Sequence, residues 1–303
     1  MNNKLIFLVL LFPILFTCCV NTIADNEDLI SDTTISTERV EISKESMTEL
    51  ISNVSSPIEI ASLLLNENVA FNKSYIANTN NVDNLISDFD CAINIGILGA
   101  DLGYLNIYEK TSSVMSTVAG INKLSNKLKV GQFFNFSLLK RLATSSKTLD
   151  SLIYTSVSSF NNMEAYLRQN DRTNISALMV TGVWVESTSL ATMVYKDKPN
   201  EKIGERIGEQ KLILNNLVII IDNYRSDSRF AELAIDLHEL KTIFNEIEIT
   251  TVEGEPETVV ENGMLVIHQT SESTVHITDD QIELIAEKVS ILREKLINNN
   301  LSS

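Results

Sequence analysis

The sequence has few of the residues that usually signal chemistry. Its 303 residues include three histidines and three cysteines. Cys18 and Cys19 are adjacent near the N-terminus, which leaves Cys91 as the only other thiol and excludes a disulfide framework in the body of the chain. A nucleophilic thiol at Cys91 would need a histidine partner in a recognisable signature, and the sequence supplies none. His238 has no ligand-type residue one turn further along its helix. His268 and His276 could face each other across two strands, but a third ligand at suitable spacing is missing. No metal and no cofactor is expected. The only closely spaced glycines of the Gly-x-x-Gly kind, Gly96 and Gly99, fall inside a helical pattern. They do not sit in the strand–turn–helix setting that cradles phosphate, and no serine elbow occurs.

Proline (four), glycine (ten) and aromatics (6%) are also scarce, while aliphatic residues dominate the apolar share; that balance favours helices over a sheet-rich fold. Basic residues are outnumbered 24 to 40, giving a formal charge of −16. Nucleic acid and anionic membrane surfaces both require a basic footprint, so neither is expected as the main partner.

The N-terminus is a targeting segment. Lys4 provides the positive start, and Leu5–Phe16 is an apolar run of twelve residues. A bilayer span needs roughly 20, so this run reads as a signal core over residues 1–17 and not as an anchor helix. It ends in Leu15-Phe16-Thr17-Cys18-Cys19, which looks like a bacterial lipobox. Cys18, with Leu at −3, is the preferred lipidated residue; Cys19, with Phe at −3, is the alternative. Residues 18–40 are polar, acidic and rich in Ser and Thr without a sustained period, as suits a lipidated N-terminus followed by a flexible tether.

Residues 41–303 read as one mainly α-helical domain, a bundle of about eight or nine helices. Ser43 can cap a first helix, and Ser56-Pro57-Ile58-Glu59 opens a second. Asn66–Asn81 is a loop with one turn near Tyr75. Further helices are expected from Thr111 to Leu128 (closed by Gly131), from Asn135 or Ser137, from Ser146, over Arg172–Tyr195, over Glu201–Tyr224, through Phe230–Ile247, and after the capping box Thr278–Gln281. One interval, about 249–278, is β-branched. Asn262-Gly263 lies there between Val259-Val260 and Met264–Ile267, which predicts a small β-hairpin, with a third short strand at Val275–Ile277 after a turn at Gln269–Ser273.

The stretch Asn81–Glu109 organises the rest. On a helix, Ala92, Gly96, Gly99, Ala100 and Gly103 form one small-residue stripe. Each helical Gly costs about 1 kcal/mol against Ala, so the stripe implies either a closely packed partner or room for a ligand. Gly204-x-x-x-Gly208 is the groove expected to match it. A second stripe carries Asp90, Asn94, Asp101 and Tyr108, with Tyr104 close to Asp101. It either edges water or bonds the ends of neighbouring helices. Asp90 and Asp101 lie about 16 Å apart along the axis, too far to act on one substrate atom. Glu186 shares a helix face with Ile175, Met179, Gly182, Leu190 and Met193. If that face is buried, the carboxylate must be paired or protonated, with Arg, Lys or Tyr as the partner. Trp184 points about 160° away from it and would not line the same pocket. Asp90, Asn94, Asp101, Tyr104, Tyr108 and Glu186 are therefore the candidate polar site, with no catalytic residue assigned.

The lipobox, the run Ala92–Tyr104 and the later Gly182-Val183-Trp184-Val185-Glu186 together resemble a family of uncharacterised Bacteroidota lipoproteins, over most of the mature chain. That resemblance implies lipid anchoring in the bacterial envelope, on the periplasmic face or the cell surface, and transfers no catalytic residue. The expected role is binding or scaffolding, with the membrane and an envelope protein as partners. The alternative is a small-molecule-binding protein or enzyme using a polar site near Asp101 and Glu186. The two separate on whether that site opens to solvent.

Overall fold

In the computed structural model, which describes residues 46–47, 51, 59–143, 149–253, 257–261, 264–268 and 271–298, the most apolar segments lie innermost. All of these residues belong to one unit spanning Glu41–Ser303. Cys18, Cys19, the tether, most of the Ser43 helix, and the cap positions Ser56, Pro57 and Ser146 fall outside the described residues. Among those described, nine α-helices occur: α1 Glu59–Asn66, α2 Asp88–Ile107, α3 Thr111–Lys127, α4 Phe136–Ala143, α5 Leu149–Gln169, α6 Thr173–Asp197, α7 Glu201–Asp222, α8 Ser228–Asn245 and α9 Asp279–Asn298. A helical bundle with a small antiparallel β element near the C-terminus is the observed class, as the periodicity predicts.

The bundle is built around α2 and α6. Every residue of α2 from Phe89 to Ile107 is buried except Gly99, and in α6 burial is unbroken from Ile175 to Thr192. Helices apolar on all sides can only be satisfied by neighbours on all sides. α6 is long and apolar enough to cross a membrane, but 94% of that window is buried inside the fold, so here it is a core helix. The two helices cross backbone to backbone. A Cβ on Gly96 would stand 2.0 Å from the Met179 carbonyl oxygen, and one on Gly182 would stand 2.1 Å from that of Ile93. This corrects the expected pairing. The partner of the α2 stripe is Gly182, while Gly204 makes room for Tyr195 and Ile282, and Gly208 for Val275 of the β element.

Element boundaries follow local chemistry. α2 begins at Asp88, not near Asn81, because Ser87 accepts the Asp90 amide as N-cap, and Thr79–Asn84 forms a 3-10 turn instead. The turn near Tyr75 is a 3-10 turn over Lys73–Tyr75, capped by Asn72. α3 ends at Lys127 with Leu128 as its C-cap and Lys129 at φ 60° in the left-handed position, so Gly131 is not its C-cap and starts another 3-10 turn. Asn135 accepts the Leu138 amide at the start of α4. The box at Thr278 forms in both directions, Gln281 N–H to Thr278 Oγ1 and Thr278 N–H to Gln281 Oε1.

The β element fills the expected interval but is differently folded. β2 Glu257–Glu261 pairs with β3 Met264–His268, as expected, while Asn262-Gly263 lies outside the described residues. β1 Glu248–Glu253 then pairs with β4 Ser271–His276, so the third strand closes a nested hairpin and not a meander, and Ser271–Ser273 are strand. His276 sits opposite Glu248 and His268 opposite Glu257; the two histidines lie on the same returning arm and do not face each other.

Candidate functional site

The polar stripe of α2 is not a wetted edge. Asp90 is 3% exposed, Asn94 5%, Asp101 1% and Tyr104 0%, and each is bonded to another segment. Asp90, in the first turn, receives the Arg229 guanidinium from the start of α8 and the Ser87 hydroxyl at 2.6 Å. Arg229 also lies over the Phe89 ring, 4.2 Å from its centroid. Asn94 donates to the Leu296 carbonyl at 3.1 Å, satisfying one of the open carbonyls at the end of α9.

One heptad further along, Asp101 meets Glu186 of α6 and Arg293 of α9. Arg293 grips Glu186 with two parallel bonds, Nε to Oε2 at 2.6 Å and Nη2 to Oε1 at 2.7 Å, and Nη2 also donates to the Tyr75 carbonyl at 3.0 Å. Glu186 has no exposed surface. Asp101 Oδ2 accepts the Ala77 amide at 2.9 Å. Burial pushes the Asp101 carboxyl well above the usual carboxylate range, and the charge of Glu186 and a hydrogen bond to it push in the same direction. Asp101 Oδ1 has no hydrogen-bond partner among the described residues. The cluster gathers two carboxyls and one guanidinium, and burial favours the protonated form of Asp101.

Around this cluster the same helix ties down the segment between α1 and α2. Tyr104 Oη accepts the Asn72 amide at 2.9 Å, and Tyr108 Oη donates to the Val69 carbonyl at 2.7 Å. Phe71 stacks on Tyr104, their centroids 5.4 Å apart. The Tyr75 hydroxyl bonds Asp197, and Asn81 Nδ2 reaches the Ile297 carbonyl at 3.2 Å. Lys127 holds three carbonyls of the segment, those of Val82, Asp83 and Leu85. Burial raises the Tyr75 and Tyr108 phenols to about 12, so both remain donors throughout the physiological range. Residues 69–85 thus form a strap, and Asp101, Tyr104, Tyr108 and the Glu186–Arg293 pair are its anchors. Asp101 and Tyr104, expected to touch, each bond the strap and not one another.

The six sequence-selected residues therefore divide between two places. Asp90 and Asn94 join α2 to α8 and α9. Asp101, Tyr104, Tyr108 and Glu186 gather beneath the strap. Sequence reasoning missed Arg293, Arg229 and Tyr75. Their partners lie 107, 139 and 122 positions away, beyond the reach of any helical or strand period. Trp184 packs away from the cluster, against Phe244.

Chemically, the cluster under the strap is closed. Neither Asp101 nor Glu186 lines any of the described cavities. The glycine stripe does border a void, between Gly99, Gly103, Asn106, Ser156 and Phe160, but its roughly 20 Å³ is room for a single water. Cys91 is a buried free thiol raised to about 11 by desolvation, the reverse of an activated nucleophile. Among the described residues, no three His, Cys, Asp or Glu side chains are grouped to hold a metal ion. No protein-family model, no curated protein and no solved structure matches the chain.

Proposed function

We propose that the protein is a lipid-anchored protein of the bacterial envelope whose helical domain binds or scaffolds and performs no chemistry. The observation that supports the non-catalytic part is the sealed state of the Asp101–Glu186–Arg293 cluster. These carboxyls converge, as an enzyme's would, but every outward direction is filled by protein, and their bonds hold a strap in place. The lipid anchor rests on the lipobox at Cys18, with Cys19 as the second choice. The acidic body argues for anchoring through acyl chains and against attraction to anionic headgroups.

Metabolic labelling with palmitate tests the anchor. Label is expected in the wild type and lost in Cys18→Ala. Label that survives Cys18→Ala and disappears only in Cys19→Ala would move the acyl group by one residue. Label surviving removal of both cysteines would overturn the assignment. For the binding role, crosslinking in intact envelopes followed by affinity purification is expected to return a defined envelope protein.

A further inference from the structure

The largest described opening lies on the other side of the Glu186–Arg293 pair, between the C-terminal half of α6 and the N-terminal half of α9. It has a volume of about 610 Å³ and is open along one side. That size falls in the range of small-ligand sites. Bonds tie the two helices together at both ends of the opening: Arg293 to Glu186 at one, and the Tyr195 hydroxyl to Asp279 at 2.7 Å at the other. The gap between the ties is therefore held open by the fold and needs no ligand to form it.

Its walls are unequal. α9 presents Asp279, Glu283 and Glu287 along one edge, at intervals of four residues, so successive carboxylates stand about 6 Å apart along the axis. The floor is apolar, made by Ile282, Ala286 and Met193. The α6 wall carries Ser189 and Thr192, 3% and 2% exposed. Thr192 spends its hydroxyl on the Ser189 carbonyl at 2.9 Å. The Ser189 hydroxyl has no hydrogen-bond partner among the described residues. It is also absent from the fully enclosed unsatisfied polar atoms, so it faces the opening. A nearly buried hydroxyl kept free on the wall of a preformed groove is positioned to bond an occupant. Lys196 stands at the α6 rim near the Tyr195 end and places the most negative part of the groove at Glu283 and Glu287.

We infer that this groove binds a linear aliphatic polyamine. Methylene links lie on Ile282, Ala286 and Met193, ammonium groups face Glu283 and Glu287, and one ammonium donates to Ser189. Four-carbon links separate successive ammonium groups by a distance comparable to the carboxylate spacing, and the apolar floor receives the methylenes between them. Three carboxylates against one lysine set the sign of the ligand.

Titration calorimetry of the detergent-solubilised full chain with spermidine tests this at physiological ionic strength. Saturable binding of one ligand per chain is expected. Glu283→Gln/Glu287→Gln, both on the exposed edge, should weaken it by about tenfold. Glu109→Gln/Asp150→Asn removes the same charge elsewhere and should change it by less than about twofold. Ser189→Ala should weaken binding without shifting the melting temperature of the free protein. Binding of many weak ligands per chain, or equal losses in the two double variants, would show that spermidine acts only as a counterion and would overturn the proposal. Binding of an oligolysine peptide with no spermidine binding would overturn it in favour of a protein partner. Neither outcome bears on the palmitate result, so the anchor and the groove stand or fall separately.

Discussion

Burial and the neighbouring Glu186 favour the protonated form of Asp101, and that has a definite pH signature. Its proton-binding affinity in the folded protein is raised above that of the unfolded chain. The folded state therefore holds more protons than the unfolded one once pH passes the ordinary carboxylate range. Stability from this group is complete below that range and declines as pH rises, until Asp101 ionises. Asp101→Asn keeps the shape and the hydrogen-bond donor and removes the titration. Urea melts across the acid-to-neutral range should show the wild type losing stability with pH relative to the Asn variant; parallel curves would mean that Asp101 is already ionised. Arg293→Ala is the harsher change, since it strands a fully buried Glu186. A loss of about 3–5 kcal/mol is expected by denaturant unfolding. Glu186 was legible in the sequence because a carboxylate among Ile175, Met179 and Leu190 contradicts its own face. The identity of its partner as an arginine on the last described helix was not, since helical spacing carries no information across 107 residues.

Among elements, the α2–α6 crossing is the tightest joint. Gly96→Ala or Gly182→Ala would drive a methyl group into the facing backbone, which has no rotamer to yield. Each should destabilise the domain by about 3 kcal/mol or more in thermal or urea unfolding. Gly99 makes the contrast. A Cβ there meets only the Phe160 ring, at 3.3 Å, so Gly99→Ala should cost little, whereas Gly99→Leu overfills the same place. The strap is tied to the bundle by side chains rather than by a ladder. Tyr104→Phe/Tyr108→Phe should speed amide hydrogen exchange across residues 69–77 while leaving exchange in α6 unchanged. The amphipathic helices were readable because each repeats one buried face at steps of three and four, as Phe230, Leu233, Leu237, Leu240 and Phe244 do. In α2 the presence of glycines was readable but their partner was not, because the matching Gly204-x-x-x-Gly208 spacing points away from the lone Gly182 that fills the role. Asn262-Gly263 made the pairing of β2 with β3 readable. The outer pairing of β1 with β4 follows from seating Val275 over Gly208, a tertiary contact that no local pattern encodes.

For the molecule as a whole, one core runs through all nine described helices and should unfold as a unit. Trp184, the single tryptophan, is 2% exposed and packs beside Phe244, so it reports that core directly. Its emission should shift to the red in one transition that coincides with the loss of helical circular dichroism. Separate transitions would mean that the two sides of the bundle unfold independently. Lastly, α9 acts as a clasp. It carries Arg293 to Glu186 and its own end carbonyls to Asn94 and Asn81. It is also the last described helix to be synthesised. Until it emerges, Glu186 lacks the guanidinium that pairs it and the strap lacks one of its anchors. The order of synthesis therefore postpones closure of the core until α9 has been made.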